Sequence, residues 1–133
     1  MQFLKVYLVT VVIFFAIDLV WLGVIAKDLY QKHLGYLMRQ PVNWVAAIIF
    51  YLIFVVGMVF FVIQPALAKG SLSYAVLAGA LFGLITYATY DLTNLATVKD
   101  WPLFITAVDL LWGTTLSALT SSASYFVIHT FFS

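Results

Sequence analysis

An all-α, integral-membrane four-helix bundle is the fold class this sequence predicts, on three observations. Hydrophobic residues make up 65% of the 133 residues and charged residues only 8%, and mean hydropathy is +1.12. A soluble domain runs at about 25% charged. The apolar residues fall in four continuous runs, each suited to a membrane-crossing helix of roughly 20 residues. A membrane β-barrel would instead alternate over segments of roughly ten residues. The second and third connections are short, which implies antiparallel neighbours and an up-down-up-down order.

The first span covers about residues 3–26 and, past Lys5 near its start, is interrupted only by Asp18. Lys5 before an apolar run, with Val24-Ile25-Ala26 behind it, has the outline of a signal peptide. The run is longer than the roughly 7–15 residues of a signal core, and Asp18 belongs to a motif that recurs later, so a retained span is expected. Residues 27–40 form a polar, aromatic-dotted connection. Leu29, His33, Tyr36 and Leu37 fall at helical spacing there and predict a short interfacial helix between spans 1 and 2.

Pro41 suits the first turn of the second span, where its missing N–H is not needed. That span, about 42–63, has no charge, carries Trp44 at its entrance and is expected to end before Pro65. Residues 66–73 read as a loop around Lys69-Gly70. The third span covers about 74–98, Lys99-Asp100-Trp101 predicts a tight turn, and Pro102 opens the fourth span, about 102–131. No linker or low-complexity tract divides the chain, so residues 1–133 form a single transmembrane domain.

Orientation follows from the basic residues. Lys27, Lys32, Arg39 and Lys99 share one side, against Lys5 and Lys69 on the other. The first and third loops are therefore expected in the cytoplasm and both termini outside. Net charge is +1 with no basic run, which argues against nucleic acid as a partner. Cysteine and glutamate are absent, so thiolate chemistry is excluded and any carboxylate chemistry must use aspartate. No cofactor is expected.

Three of the five acids, Asp18, Asp91 and Asp109, lie inside apolar spans with no lysine or arginine among them. A charged carboxylate there costs roughly 2.5–3.5 kcal/mol on insertion scales. The three also share a depth. Asp18 precedes Ala26 by eight residues, Asp91 precedes Lys99 by eight, and Asp109 follows Trp101 by eight. Those reference points lie on one membrane side, so each acid sits about 12 Å in from that face at 1.5 Å per residue.

Helical spacing extends the pattern. Ala75, Gly79, Gly83, Tyr87 and Asp91 follow at i+4, with Asn94 three residues on, and the glycines allow close helix approach. A second row holds Thr86, Tyr90, Thr93 and Thr97. In the fourth span Thr106, Asp109, Gly113, Ser117, Thr120 and Ser124 form one stripe. Polar stripes on membrane helices are expected to face other helices or a wet cavity. Asp18, Tyr7, Val11, Phe14 and Trp21 share a face of the first span.

A short repeat, Asp-Leu-x-Trp, occurs at Asp18–Trp21 and again at Asp109–Trp112. At i+3 each indole lies on its aspartate's face, where its N–H can donate to a carboxylate. The two tryptophans are expected to bracket the acid layer above and below.

The candidate ligand- or ion-binding residues are therefore Asp18, Asp91, Asp109, Asn94, Thr93, Trp21, Trp112, Tyr90 and Tyr87. With no basic partner, at least one acid carries a proton at neutral pH unless a cation or cationic ligand occupies the site. The leading reading is proton- or cation-linked binding or transport of a small solute. The alternatives are a lipid-modifying enzyme or its accessory subunit, with a protonated aspartate as general acid near the headgroups, and a structural partner subunit.

No metal site is expected. If one existed, Asp18, Asp91 and Asp109 would supply oxygen ligands suited to magnesium, calcium or manganese. His33 and His129 read as interfacial residues. The serines of the fourth span have no histidine to activate them. Partners follow from the leading reading: the lipid bilayer, a small solute, cation or lipid headgroup, and a second copy of the chain, since one bundle has little interior for a pathway.

Asp18-x-x-Trp21, Tyr90-Asp91-Leu92-Thr93-Asn94-Leu95-Ala96-Thr97 with Lys99-Asp100-Trp101-Pro102, and Asp109-x-x-Trp112-Gly113 together resemble a bacterial integral-membrane family, domain of unknown function 2177. The resemblance covers nearly the whole chain. It implies a four-span protein of the bacterial inner membrane and carries over no activity or catalytic residue.

Overall fold

The computed structural model describes residues 3–25, 32–33 and 44–132. The described chain is helical, with no strand among the described residues. Phe3–Gly23, Val45–Lys69, Leu72–Thr97 and Leu103–Phe131 are each long and apolar enough to cross a membrane. Their outward faces carry large apolar side chains, among them Leu8, Val12, Ile53, Phe60, Leu77, Ile85, Leu103 and Leu111. Such a surface suits a hydrocarbon solvent. The expected interfacial helix over 27–40, and Pro41, fall outside the described residues apart from Lys32 and His33, which are helical.

The first span is α-helical over Phe3–Val20 and continues as a π-helical turn, Trp21–Ile25. The second is α-helical over Trp44–Met58, π-helical over Val59–Ile63 and α-helical again over Gln64–Lys69. Pro65 therefore does not end it. The proline falls in the first turn of the last α segment, and the π turn before it, with the Gln64 N–H bonded to the Val59 carbonyl, re-registers the backbone bonds there.

The helix stops instead at Gly70, whose φ of 60° and N–H bonds to the Ala66 and Leu67 carbonyls form a left-handed cap. The expected loop over 66–73 shrinks to Gly70 and Ser71. Ser71 caps the third span by accepting the Tyr74 N–H at 3.0 Å. At the other end Asp100 adopts a φ of 61° in the turn after Thr97, and Pro102 caps the fourth span.

The third and fourth spans pack most closely. Gly79 faces Ser121 and the Ser117 carbonyl, Gly83 faces the Gly113 backbone and Ser117, and Gly113 lies under the Tyr87 ring. Numbers rise along one helix as they fall along the other, so the two run in opposite directions. A side chain on Gly79 would place its Cβ 2.9 Å from that of Ser121. Without a hydrophobic force between helices in lipid, this close backbone approach supplies the dispersion contact that holds them.

The first span joins the fourth through a buried hydroxyl pair, Thr10 Oγ1 and Ser124 Oγ, 2.6 Å apart. The second span packs on the first through Phe14, whose ring centroid lies 5.5 Å from Tyr51 and 5.4 Å from Phe54. Its contact with the third runs mainly through the π segment, with the Phe54 and Phe82 rings 5.2 Å apart just before it. Beyond those rings the two helices separate and leave a cavity beside the acids.

Candidate functional site

Burial selects a different row on the first span from the one expected. Val6, Thr10, Phe14 and Asp18 are buried at i+4 spacing, while Tyr7, Val11 and Trp21 flank them half-buried. In the third span Ala75, Gly79, Gly83 and Asp91 are buried. In the fourth, the whole stripe from Thr106 through Asp109, Gly113, Ser117 and Thr120 to Ser124 is buried.

All three acids face the interior. Asp91 is 0% exposed, Asp18 5% and Asp109 6%. They divide into a pair and a single. Asp91 and Asp109 are direct neighbours across the third and fourth helices. Asp18 has the Trp112 indole and the Tyr51 hydroxyl as its polar neighbours. Tyr87 links the two parts, since Asp18, Tyr51, Asp109 and Asp91 are all within electrostatic reach of its hydroxyl.

Neither Asp91 oxygen makes a hydrogen bond of normal geometry, and the Trp21 and Trp112 indole nitrogens are likewise left without one. Trp112 Nε1 therefore approaches Asp18 without completing a bond to it. Among the described residues no group of three His, Asp or Glu side chains is close enough to hold a metal ion.

The tryptophans depart from the expected bracket. Trp21 and Trp112 stack on one another, with centroids 4.3 Å apart and planes 10° from parallel. Rings that close cannot lie on opposite sides of an acid layer. Trp112 approaches Asp18 on the first span, so the Asp-Leu-x-Trp echo makes a contact across helices.

The threonine row also departs. Thr93 and Thr97 are exposed. Thr93 Oγ1 donates to the Thr89 carbonyl and lies 3.0 Å from that of Tyr90, and Thr97 Oγ1 donates to the Thr93 carbonyl. A hydroxyl satisfied by its own helix can face lipid, so Thr93 is not positioned to orient the acids. Asn94 is half-buried, one turn from Asp91. Tyr90 is exposed at the helix edge with Asp91 and Asp109 as its charged neighbours, and its ring meets Trp101 edge-on at 5.7 Å.

Tyr51 was not among the residues expected at the site. It comes from the span without charge, and the available signal was a phenol eight residues inside an apolar run, away from the interfacial belt. Thr86 and Thr89 join it, with Phe50, Tyr87, Tyr90 and Asp109, around a cavity of about 520 Å³ between the second and third spans. A smaller groove of about 270 Å³ runs past Trp21, Val108, Leu111, Trp112 and Thr115 on the other side of the fourth helix.

Four apolar helices enclosing a pair of facing carboxyls and a third acid define an integral membrane protein with a polar interior. The chain belongs to a family described as "predicted membrane protein (DUF2177)", whose sequence profile matches residues 3–126. No curated protein and no solved structure matches it.

Proposed function

We propose that this protein binds a small solute at its aspartate pocket and carries it across the bacterial inner membrane, linked to protons or cations. One observation supports this reading above the others. Asp91 is fully buried, leaves both oxygens without a hydrogen bond and faces a second carboxyl. Two such groups in a low-dielectric interior do not both stay ionised. The pair holds either a proton or a cation, and exchange of one for the other is the elementary step of coupled transport. Asp18, Tyr51 and Tyr87 form the opposite wall, and a second copy of the chain would complete a pathway that one bundle is too small to enclose.

Infrared difference spectroscopy on protein in nanodiscs tests the pocket, and proton flux in proteoliposomes tests the coupling. The expected result is a protonated-carboxyl band that titrates in the wild type and is diminished in Asp91→Asn and Asp109→Asn. Solute-driven proton flux should fall in the same variants. A band unchanged by both substitutions, or flux equal to that of the wild type, would overturn the proposal.

A lipid-modifying enzyme is a second reading, favoured by the exposure of Phe50 and Tyr90 at the cavity beside Asp109. Lipid extracts with and without the gene separate the two, since a carrier leaves lipid species unchanged.

A further inference from the structure

The cavity beside Asp109 has a lining that selects among ligands by charge. Its mouth is formed by Phe50 of the second span and Tyr90 of the third, 53% and 56% exposed. On a membrane helix that exposure faces acyl chains, so among the described residues the cavity opens sideways into the bilayer. Asp109 lies at its closed end, 6% exposed, with Tyr51 and Tyr87 as walls.

The lining offers acceptors and aromatic faces. Thr86 Oγ1 lies 2.9 Å from the Phe82 carbonyl and 3.1 Å from that of Gly83, and Thr89 Oγ1 lies 2.7 Å from that of Ile85. Their protons are spent on the helix, and only their oxygen lone pairs remain for a ligand. The Tyr51 hydroxyl is turned to Asp18. No lysine or arginine occurs in the second to fourth spans other than Lys69 at a helix end. An anion would meet the Asp109 carboxyl with no cationic side chain to offset it, and the Tyr87 and Tyr90 phenols as donors alone.

A cation meets a carboxylate and four aromatic rings, and an alkylammonium is attracted to ring faces, the more so when desolvated. Behind Asp109 lies Asp91, buried with two unbonded oxygens, which adds negative potential in the same direction.

We infer that the cavity between the second and third spans takes an amphiphilic ammonium, its cationic head against Asp109 and its apolar body reaching the bilayer between Phe50 and Tyr90. This names the substrate class of the pocket proposed above and rests on that reading. The ligand arrives from the membrane and not from water, so its apolar part need never be stripped from lipid.

Dodecyltrimethylammonium, with dodecyl sulfate and an uncharged dodecyl glycol as tail-matched controls, tests this on full-length protein in nanodiscs. The readout is the shift in thermal midpoint with ligand concentration, which reports binding to the folded state. The ammonium should raise the midpoint in a saturable manner, and the two controls should not. Apparent affinity should fall at least tenfold in Asp109→Asn and in Thr89→Trp, which adds bulk at a lining position that carries no acid.

Equal shifts from all three amphiphiles, or an ammonium effect unchanged in both variants, would overturn the inference. The carboxyl titration described above, measured on the same nanodiscs, separates the two failures. A titrating band without ammonium binding leaves the aspartate pocket standing and removes only this ligand.

Discussion

The Tyr87 ring lies directly on the Gly113 backbone where the third and fourth helices cross, so a Cβ at position 113 would collide with the ring carbons. The same tyrosine carries the hydroxyl that lies among the acids. Helix contact and site geometry are thereby joined in one side chain. Gly113→Ala must displace the ring or part the helices, and overpacking of this kind costs about 1–3 kcal/mol. Thermal unfolding in nanodiscs should show that loss, and Tyr87→Leu in the same background should recover part of it.

Gly83 and Gly23 form a contrasting pair. A Cβ on Gly83 would strike the Gly113 carbonyl, while one on Gly23 meets nothing within 4 Å. Gly83→Ala should destabilise by about 1–3 kcal/mol. Gly23→Ala should be neutral or slightly stabilising, because alanine favours helix by about 1 kcal/mol over glycine. Equal midpoints for the two variants would contradict the packing described.

Thr10 and Ser124 join the first and fourth spans through hydroxyls 2.6 Å apart, with Thr10 also bonded to the Val6 carbonyl. Interhelical bonds in membranes average about 0.6 kcal/mol. A double-mutant cycle of Thr10→Val and Ser124→Ala should give a coupling of about that size. Zero coupling would mean the contact is incidental.

The Trp21–Trp112 stack predicts an exciton couplet in the near- and far-ultraviolet circular dichroism. Either Trp21→Phe or Trp112→Phe should abolish it, whereas Trp44→Phe and Trp101→Phe should leave it. Asp18→Asn should shift the emission of Trp112, its neighbour, and leave the couplet in place.

The residues legible in sequence were those governed by depth and composition. Four long, predominantly apolar runs can only be satisfied in lipid as helices, since every backbone group must bond within its own segment. Asp18, Asp91 and Asp109 declared themselves because a carboxyl in an apolar span is expensive wherever it points. Gly79, Gly83 and Ser117 declared a close contact by size and spacing.

Partner choice was decided only by the tertiary structure. Tyr51 reaches Asp18, Trp112 answers Asp18 across helices, and the acids divide into a pair and a single. Spacing along one helix sets depth and face, but these spans are apolar on nearly every side, so hydrophobicity does not set their rotation. Close contacts such as Gly83 on Gly113 and Tyr87 on Gly113 set it, and the two π turns then shift the register of Trp21 and of the second span. Composition alone placed the three acids inside apolar helices, whereas the helix contacts fixed which groups surround each of them.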